Sequence, residues 1–310
     1  MSSTNVPALY PNVLRPGDAI ALVSPAGPVA ADKLESAVEV LKGWGLRPKV
    51  FPHALDRHSF YAGTDENRLA DLQAALADPE IRGIFCNRGG YGVQRIVQQL
   101  DFDVVRQDPK VVIGFSDITA LHAALWTHAG VASVHGPVST QLDRGESFTR
   151  SIRHALMSTE SVRIEADATE PNFSVRTGGC AQGRLLGGNL TMLSTSVGTP
   201  FMPDLRGAIL LLEDVGEAAY RVDRMLTQLG NGGILQGLAG IALGQFSEPT
   251  GTPGAVTTVD VLRERLCDLG IPVLGGLPIG HGQNNTAVPL GTEATLDAEC
   301  GTLLVAPAVR

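Results

Sequence analysis

A change of period at one serine constrains the fold of this chain more than any other feature. In Val111-Val112-Ile113-Gly114-Phe115-Ser116-Asp117-Ile118, the residues up to Phe115 form a short apolar, β-branched run with the pattern of a buried strand. From Ile118 the spacing turns helical, with Ile118, Leu121, His122 and Leu125 on one face. Ser116 is therefore predicted on a sharp strand-to-helix turn, where its hydroxyl stands clear of a sheet beside the orphan N–H groups of a helix N-terminus. Two readings stay open: a nucleophile elbow, although Ile118 occupies the place of the second glycine in G-x-S-x-G, or a serine that caps a helix.

The same alternation runs through the first half. Ala19–Val23 reads as a strand entering Ser24-Pro25-Ala26-Gly27, followed by a helix over about 31–44 and a short strand at Val50 and Phe51. Thr64 or Asp65 caps a helix striped by Leu69, Leu72 and Leu76, and Arg82–Asn87 is a strand running into Arg88-Gly89-Gly90-Tyr91-Gly92. A last strand is expected at Val131–His135. Strands separated by helices predict a flavodoxin-like or Rossmann-like parallel sheet covered on both faces. Ligands of such sheets collect beyond the carboxyl ends of the strands, and Ser24, Gly89-Gly90, Ser116 and His135 all occupy such ends.

After a helix near 147–158 the character changes. Residues 165–178 are polar, Pro-containing and aperiodic, which predicts a linker between an α/β domain (1–164) and a β-rich, barrel-like domain (179–310). Strands are expected at Arg184–Leu190, Ala208–Leu212, Gly240–Phe246 and as a pair within Ala294–Val305. Two amphipathic helices interrupt them, one using Val222, Met225, Leu226 and Leu229, the other Val259, Leu262, Leu266 and Leu269.

Composition narrows the function classes. A net charge of −8 without a Lys/Arg cluster argues against nucleic-acid or anionic-membrane partners. No apolar run approaches the roughly 20 residues needed to span a bilayer, and Met1–Arg15 carries no basic-then-apolar leader pattern, so a cytoplasmic location is expected. Cys86, Cys180, Cys267 and Cys300 are scattered without C-x-x-C spacing, and no His-x-x-x-His pair occurs. Neither a disulfide framework nor a metal site is expected, and no cofactor.

A serine nucleophile needs a base and, behind it, a carboxylate. His122 lies on the apolar stripe of its own helix and reads as a packed residue, while His53, His58, His128 and His154 have no catalytic context. His135 closes a strand beside the elbow and is one candidate base. His281, in the glycine-flanked loop Gly280-His281-Gly282, is the other, with an exposed turn as its alternative reading. Leu210-Leu211-Leu212 drives a strand into Glu213-Asp214, so either acid is placed to orient an imidazole, whereas Glu217 is expected to face solvent near the next helix start.

Taken together, Val23-Ser24-Pro25, Ala62-Gly63-Thr64-Asp65, Asn87-Arg88-Gly89-Gly90-Tyr91-Gly92, Ile113-Gly114-Phe115-Ser116-Asp117, Gly187-Gly188-Asn189-Leu190, Leu212-Glu213-Asp214 and Gly280-His281-Gly282 resemble the serine LD-carboxypeptidases, the muramoyl-tetrapeptide carboxypeptidase family. The resemblance spans essentially the whole chain. It implies a Ser116–Glu213–His281 triad, an oxyanion hole of the Gly90 and Asp117 N–H groups, and hydrolysis of the L,D bond that releases D-Ala from a cytoplasmic murein tetrapeptide during peptidoglycan recycling. A homodimer is implied as well. Nucleophile and base then belong to different domains, so the triad depends on how the domains dock. Arg88, Asn189 and Arg221 are candidates for the substrate carboxylate. Three other readings compete. An immunity-type peptidase of the same family would cleave peptide–nucleotide antibiotics using an aromatic loop in the second domain, whereas Trp44 and Trp126 lie in the first. An α/β-hydrolase esterase would want glycine at 118, and a solute-binding protein would want a leader.

Overall fold

The computed structural model describes residues 7–250 and 256–310; the first six residues of the stretch read for a leader lie outside it. Two compact units emerge: residues up to Glu160 with Ala287–Gly291 and Pro307–Arg310, and Ser161–Thr286 with Thr292–Ala306.

In the first unit, β1 (Ala19–Val23), β2 (Arg47–Val50), β3 (Ile81–Cys86), β4 (Val111–Gly114) and β5 (Ser133–His135) lie parallel in the order 2-1-3-4-5. Of the flavodoxin-like and Rossmann-like arrangements expected from the sequence, this is the flavodoxin-like order, and its switch point falls between β1 and β3. Val288–Leu290 adds a sixth, antiparallel strand beside β5. β1 and β4 are buried throughout because helices cover both faces. The edges resist further pairing: β2 carries Arg47, Pro48 and Lys49, and the returning strand carries Pro289, which offers no N–H. Helices α1 (Ala31–Gly43), α2 (Asp65–Ala77), α3 (Val93–Ile96), α4 (Phe102–Gln107), α5 (Thr119–Ala124) and α6 (Glu146–Met157) complete the unit. The Thr64 side chain accepts from the Asn67 N–H at 3.3 Å to start α2, a cap of about 1 kcal/mol.

The second unit holds β6 (Val162–Glu165), β7 (Cys180–Asn189), β8 (Ile209–Val215), β9 (Gly240–Ser247), β10 (Val273–Leu274), β12 (Glu293–Asp297) and β13 (Thr302–Val305), where Val288–Leu290 of the first unit counts as β11. Their order is 10-9-8-7-12-13-6, parallel from β10 to β7 and antiparallel from β7 to β6. The β-rich half is thus a curled half-barrel. Helices α7 (Leu190–Ser196), α8 (Ala219–Asn231) and α9 (Thr258–Leu266) accompany it. The α8 stripe packs as expected, with Val222, Leu226 and Leu229 buried, but α9 buries Val261, Leu262 and Leu266 and leaves Leu269 exposed. The reason is that α9 ends at Leu266 and Cys267–Leu269 tightens into a 3₁₀ turn.

Residues 165–178 are not a free linker. Glu165 closes β6 against β13, the Asp167 N–H donates to Gly276 O at 2.7 Å, and the Thr177 N–H to Val273 O at 3.0 Å. The polarity that reads as solvation serves instead to satisfy strand-end backbone groups of the second unit. Nor does the second unit take the whole C-terminus, since residues 287–291 and 307–310 return to the first.

Candidate active site

Ser116 sits where β4 has ended and a 3₁₀ turn, Ser116–Ile118, leads into α5. Its φ is +64°, a left-handed conformation costing a β-carbon residue about 1–3 kcal/mol. That strain presents a half-buried hydroxyl, while Ile118, Leu121 and Leu125 anchor the following turns in the core. Gly89 permits the arrangement: a β-carbon there would lie 2.8 Å from Ser116 Cβ and 3.0 Å from its Oγ. The loops after β1, β3 and β5 are also tied together. The Gly27 N–H donates to Gly89 O at 2.9 Å, and the buried Asn87 side chain donates to Ser24 Oγ at 2.9 Å and accepts from Ser139 Oγ at 2.7 Å.

Asp117 contributes twice. As the second residue of its turn, its backbone N–H has no intrahelical acceptor. Its buried carboxylate accepts the Val93 N–H at 2.8 Å, fastening the start of α3, and with it the Gly90–Gly92 loop, to the elbow. Burial pushes this carboxyl up to about 6, against the opposing pull of the Val93 N–H and the Arg68 charge. Gly90, exposed at φ +111°, lies on the loop so fastened.

In the second unit β8 delivers Glu213, fully buried, and its carboxylate meets His281 Nδ1 at 2.6 Å. Gly280, at φ +126°, makes the approach possible, since a β-carbon would lie 2.7 Å from Glu213 Oε2. Burial pushes the Glu213 carboxyl up, and the hydrogen bond and charge of His281 pull it back. Burial alone would lower the imidazole; the hydrogen bond and charge of Glu213 outweigh it and leave His281 raised above its usual 6.5. The contact fixes the orientation of the imidazole against a desolvated acid, the arrangement a general base needs.

The neighbouring acids have other work. Asp214, on the opposite face of β8, accepts from Asn189 Nδ2 at 3.0 Å, from the Thr191 N–H at 2.9 Å and hydroxyl at 2.8 Å, and from its neighbour's N–H at 2.8 Å. Glu217 pairs with Arg221 at 3.5 Å, with its side chain only 21% exposed, so it is less solvated than expected.

The His281 loop rests on residues that the sequence alone does not single out. Buried Gln245, at the end of β9, accepts the Gly282 N–H at 2.7 Å and donates to Glu170 at 2.5 Å; Asn172 donates to Gly244 O at 2.7 Å. A polar residue interrupting the apolar run Ile241–Phe246 is the available signal. Gln245→Ala is expected to reduce turnover between about 10- and 100-fold with KM nearly unchanged, because a 1 Å misplacement of a reacting group costs that much; steady-state kinetics with a circular-dichroism check of folding tests this.

The alternative base fails on burial. His135 is fully buried in β5, edge-on to Phe115 at 6.0 Å. His122 is the packed histidine expected: its Nε2 bonds Gly114 O at 2.9 Å and burial lowers its pKa to about 4. Of the carboxylate-binding candidates, Asn189 is committed to Asp214 and to capping α7, Arg221 pairs with Glu217, and Arg88 is exposed beside the Gly89–Gly90 turn with one N–H on Pro28 O at 2.9 Å. Among the described residues no three His, Cys, Asp or Glu side chains group as a metal site, and no helix is long and apolar enough to cross a membrane.

Comparison with known proteins identifies the family of the chain. Residues 20–136 match the LD-carboxypeptidase N-terminal domain and residues 182–296 the LD-carboxypeptidase C-terminal domain. The murein tetrapeptide carboxypeptidase of Pseudomonas aeruginosa is 36% identical over 285 residues, covering 90% of this chain and 92% of that protein. The muramoyltetrapeptide carboxypeptidase of Oxalobacter formigenes superposes with a TM-score of 0.83 at 33% identity, over 94% of this chain and all of that one. The microcin C7 self-immunity protein MccF shares the fold, with a TM-score of 0.86 at 23% identity over 97% of this chain and all of that one. With both domains matched and a relative above 30% identity over nine-tenths of its length, this chain belongs to the LD-carboxypeptidase family of peptidases.

Proposed function

We propose that this peptidase is a serine enzyme that removes the terminal D-Ala from murein tetrapeptides, in the cytoplasm, as a homodimer serving peptidoglycan recycling. The observation that carries the reading is the buried Glu213 held 2.6 Å from His281, with a serine strained into an elbow at φ +64° as the nucleophile it would serve. In the active form Ser116 and His281 must come within hydrogen-bond reach. Ser116 Oγ attacks the scissile carbonyl while His281 Nε2 takes its proton, and Glu213 holds Nδ1–H and stabilises the cation. The Gly90 and Asp117 N–H groups receive the oxyanion, a contribution of about 3–4 kcal/mol per donor. His281 then protonates the leaving D-Ala amine, and water releases the acyl group by the reverse sequence. Purified enzyme assayed on tetrapeptides ending in L,D and D,D bonds tests the specificity; cleavage of the D,D substrate alone would refute it.

The acid limb of the pH profile follows from the imidazole. The base works only when neutral, and Glu213 raises its pKa above 6.5. Activity is therefore expected to fall as pH drops through a midpoint above 6.5, measured as kcat/KM against pH.

One observation favours a second reading, the immunity-type peptidase. Tyr220, 58% exposed at the start of α8 with the Arg221 and Arg224 guanidiniums beside its ring, is an exposed aromatic of the second unit of the kind that stacking on a base needs. MccF has been solved in complex with aspartyl sulfamoyl adenosine, and turnover of an aminoacyl-nucleotide in preference to the tetrapeptide would select that reading.

A further inference from the structure

An open cleft of about 850 Å³ lies in the first unit between the segment entering β1 and the end of α6, built from residues outside the candidate active site. Arg15, Arg150, Arg153 and His154 line it, with Ser158 and Thr159, and Glu160 is its one acidic residue. Leu14 and Met157 give it an apolar wall. Its volume lies within the range of about 300–1,000 Å³ typical of small-molecule sites.

The state of the arginines is what distinguishes it. Ten of the other arginines of this acidic protein carry a carboxylate partner, as in Arg82–Asp108, Arg206–Asp204 and Arg265–Asp223. In the cleft, none of the Arg15, Arg150 and Arg153 guanidiniums has a carboxylate or carbonyl partner among the described residues. Like charges from two chain segments thus share one concavity, with Glu160 its one acid and no ion pair to these guanidiniums among the described residues. Complementing the carbonyl end of α6 accounts for a cation in its last turn, where His154 stands, but not for Arg150 further back or for Arg15 on another segment.

We infer that this cleft is a binding site for a small phosphorylated ligand, separate from the peptidase centre. A planar carboxylate is satisfied by one bidentate guanidinium, whereas a phosphate presents several strongly accepting oxygens and close to two charges that several forks can share. The Ser158 hydroxyl accepts the Glu160 N–H at 3.1 Å and keeps its own proton to donate. The apolar wall suits an organic portion attached to the phosphate.

Isothermal titration calorimetry of the full chain with inorganic pyrophosphate, at low ionic strength, tests the inference, with citrate as the carboxylate comparison. Saturable binding is expected, tighter than for citrate, and weakened about tenfold in each of Arg150→Gln and Arg153→Gln, since a charge-assisted hydrogen bond contributes on that order. Lys42→Gln, at a surface lysine paired with Glu39, should bind as the parent does. Both arginines are exposed, and circular dichroism verifies that the variants fold. Absence of saturable binding, equal affinity in the arginine variants, or tighter binding of citrate would each overturn the assignment.

Discussion

Ser116→Ala is expected to abolish peptide hydrolysis, by on the order of 10⁴–10⁶-fold in kcat, while thermal unfolding shows a folded protein. The hydroxyl is half-buried at an elbow whose neighbours, not the serine, provide the core. Alanine keeps the β-carbon and so the same left-handed strain, which makes a large change in stability unexpected. His281→Ala should lose about as much, and the double variant little more, because a nucleophile and its base act as one unit. The measurement is single-turnover kinetics on a murein tetrapeptide. A double variant substantially worse than either single one would show that the two residues act independently, and the proposed pairing would fall.

Glu213→Gln is expected to lower kcat by roughly 10³–10⁴-fold with substrate binding largely retained, since an amide cannot stabilise the imidazolium and favours the wrong tautomer. With the carboxylate gone, the acid limb should also shift to lower pH, because Glu213 is what holds the His281 pKa up against burial. Two neighbours serve as controls. Glu217→Gln loses only a 3.5 Å pair with Arg221 and should leave the chemical step unchanged. Asp214→Ala should instead reduce stability, by about 2–4 kcal/mol, as the Asn189 and Thr191 donors lose a buried charged acceptor. Inactivity of Glu217→Gln beside a healthy Glu213→Gln would reverse the assignment of the orienting acid.

The Glu213 and Asp214 outcomes separate because successive residues of a strand point to opposite faces, while Glu217 lies beyond the end of β8. Glu213 and Asp214 are equivalent in sequence, both acids at the end of an apolar strand. In the fold one faces Gly244 and Gly280 and the other the start of α7.

Local pattern determined much of this protein. The switch from strand to helical spacing at Ser116, the apolar runs of β1 and β4, and the Thr64 cap depend on neighbours in sequence, and their positions are legible there. The α/β alternation likewise restricts the first half to a parallel sheet with its ligand side at the carboxyl ends of the strands. Contacts between distant segments decided the rest. Whether His135 is exposed depends on what packs over β5, and the fold buries it completely. Residues 165–178 look like a linker because their polar groups find partners a hundred residues away, as Asn172 does with Gly276 at 3.3 Å, and no local periodicity records such a bond. Gln245 is one polar residue in a strand until the His281 loop closes over it. Periodicity reports which face of an element meets the core, whereas hydrogen-bond partners far apart in sequence exist only once the chain has folded back on itself.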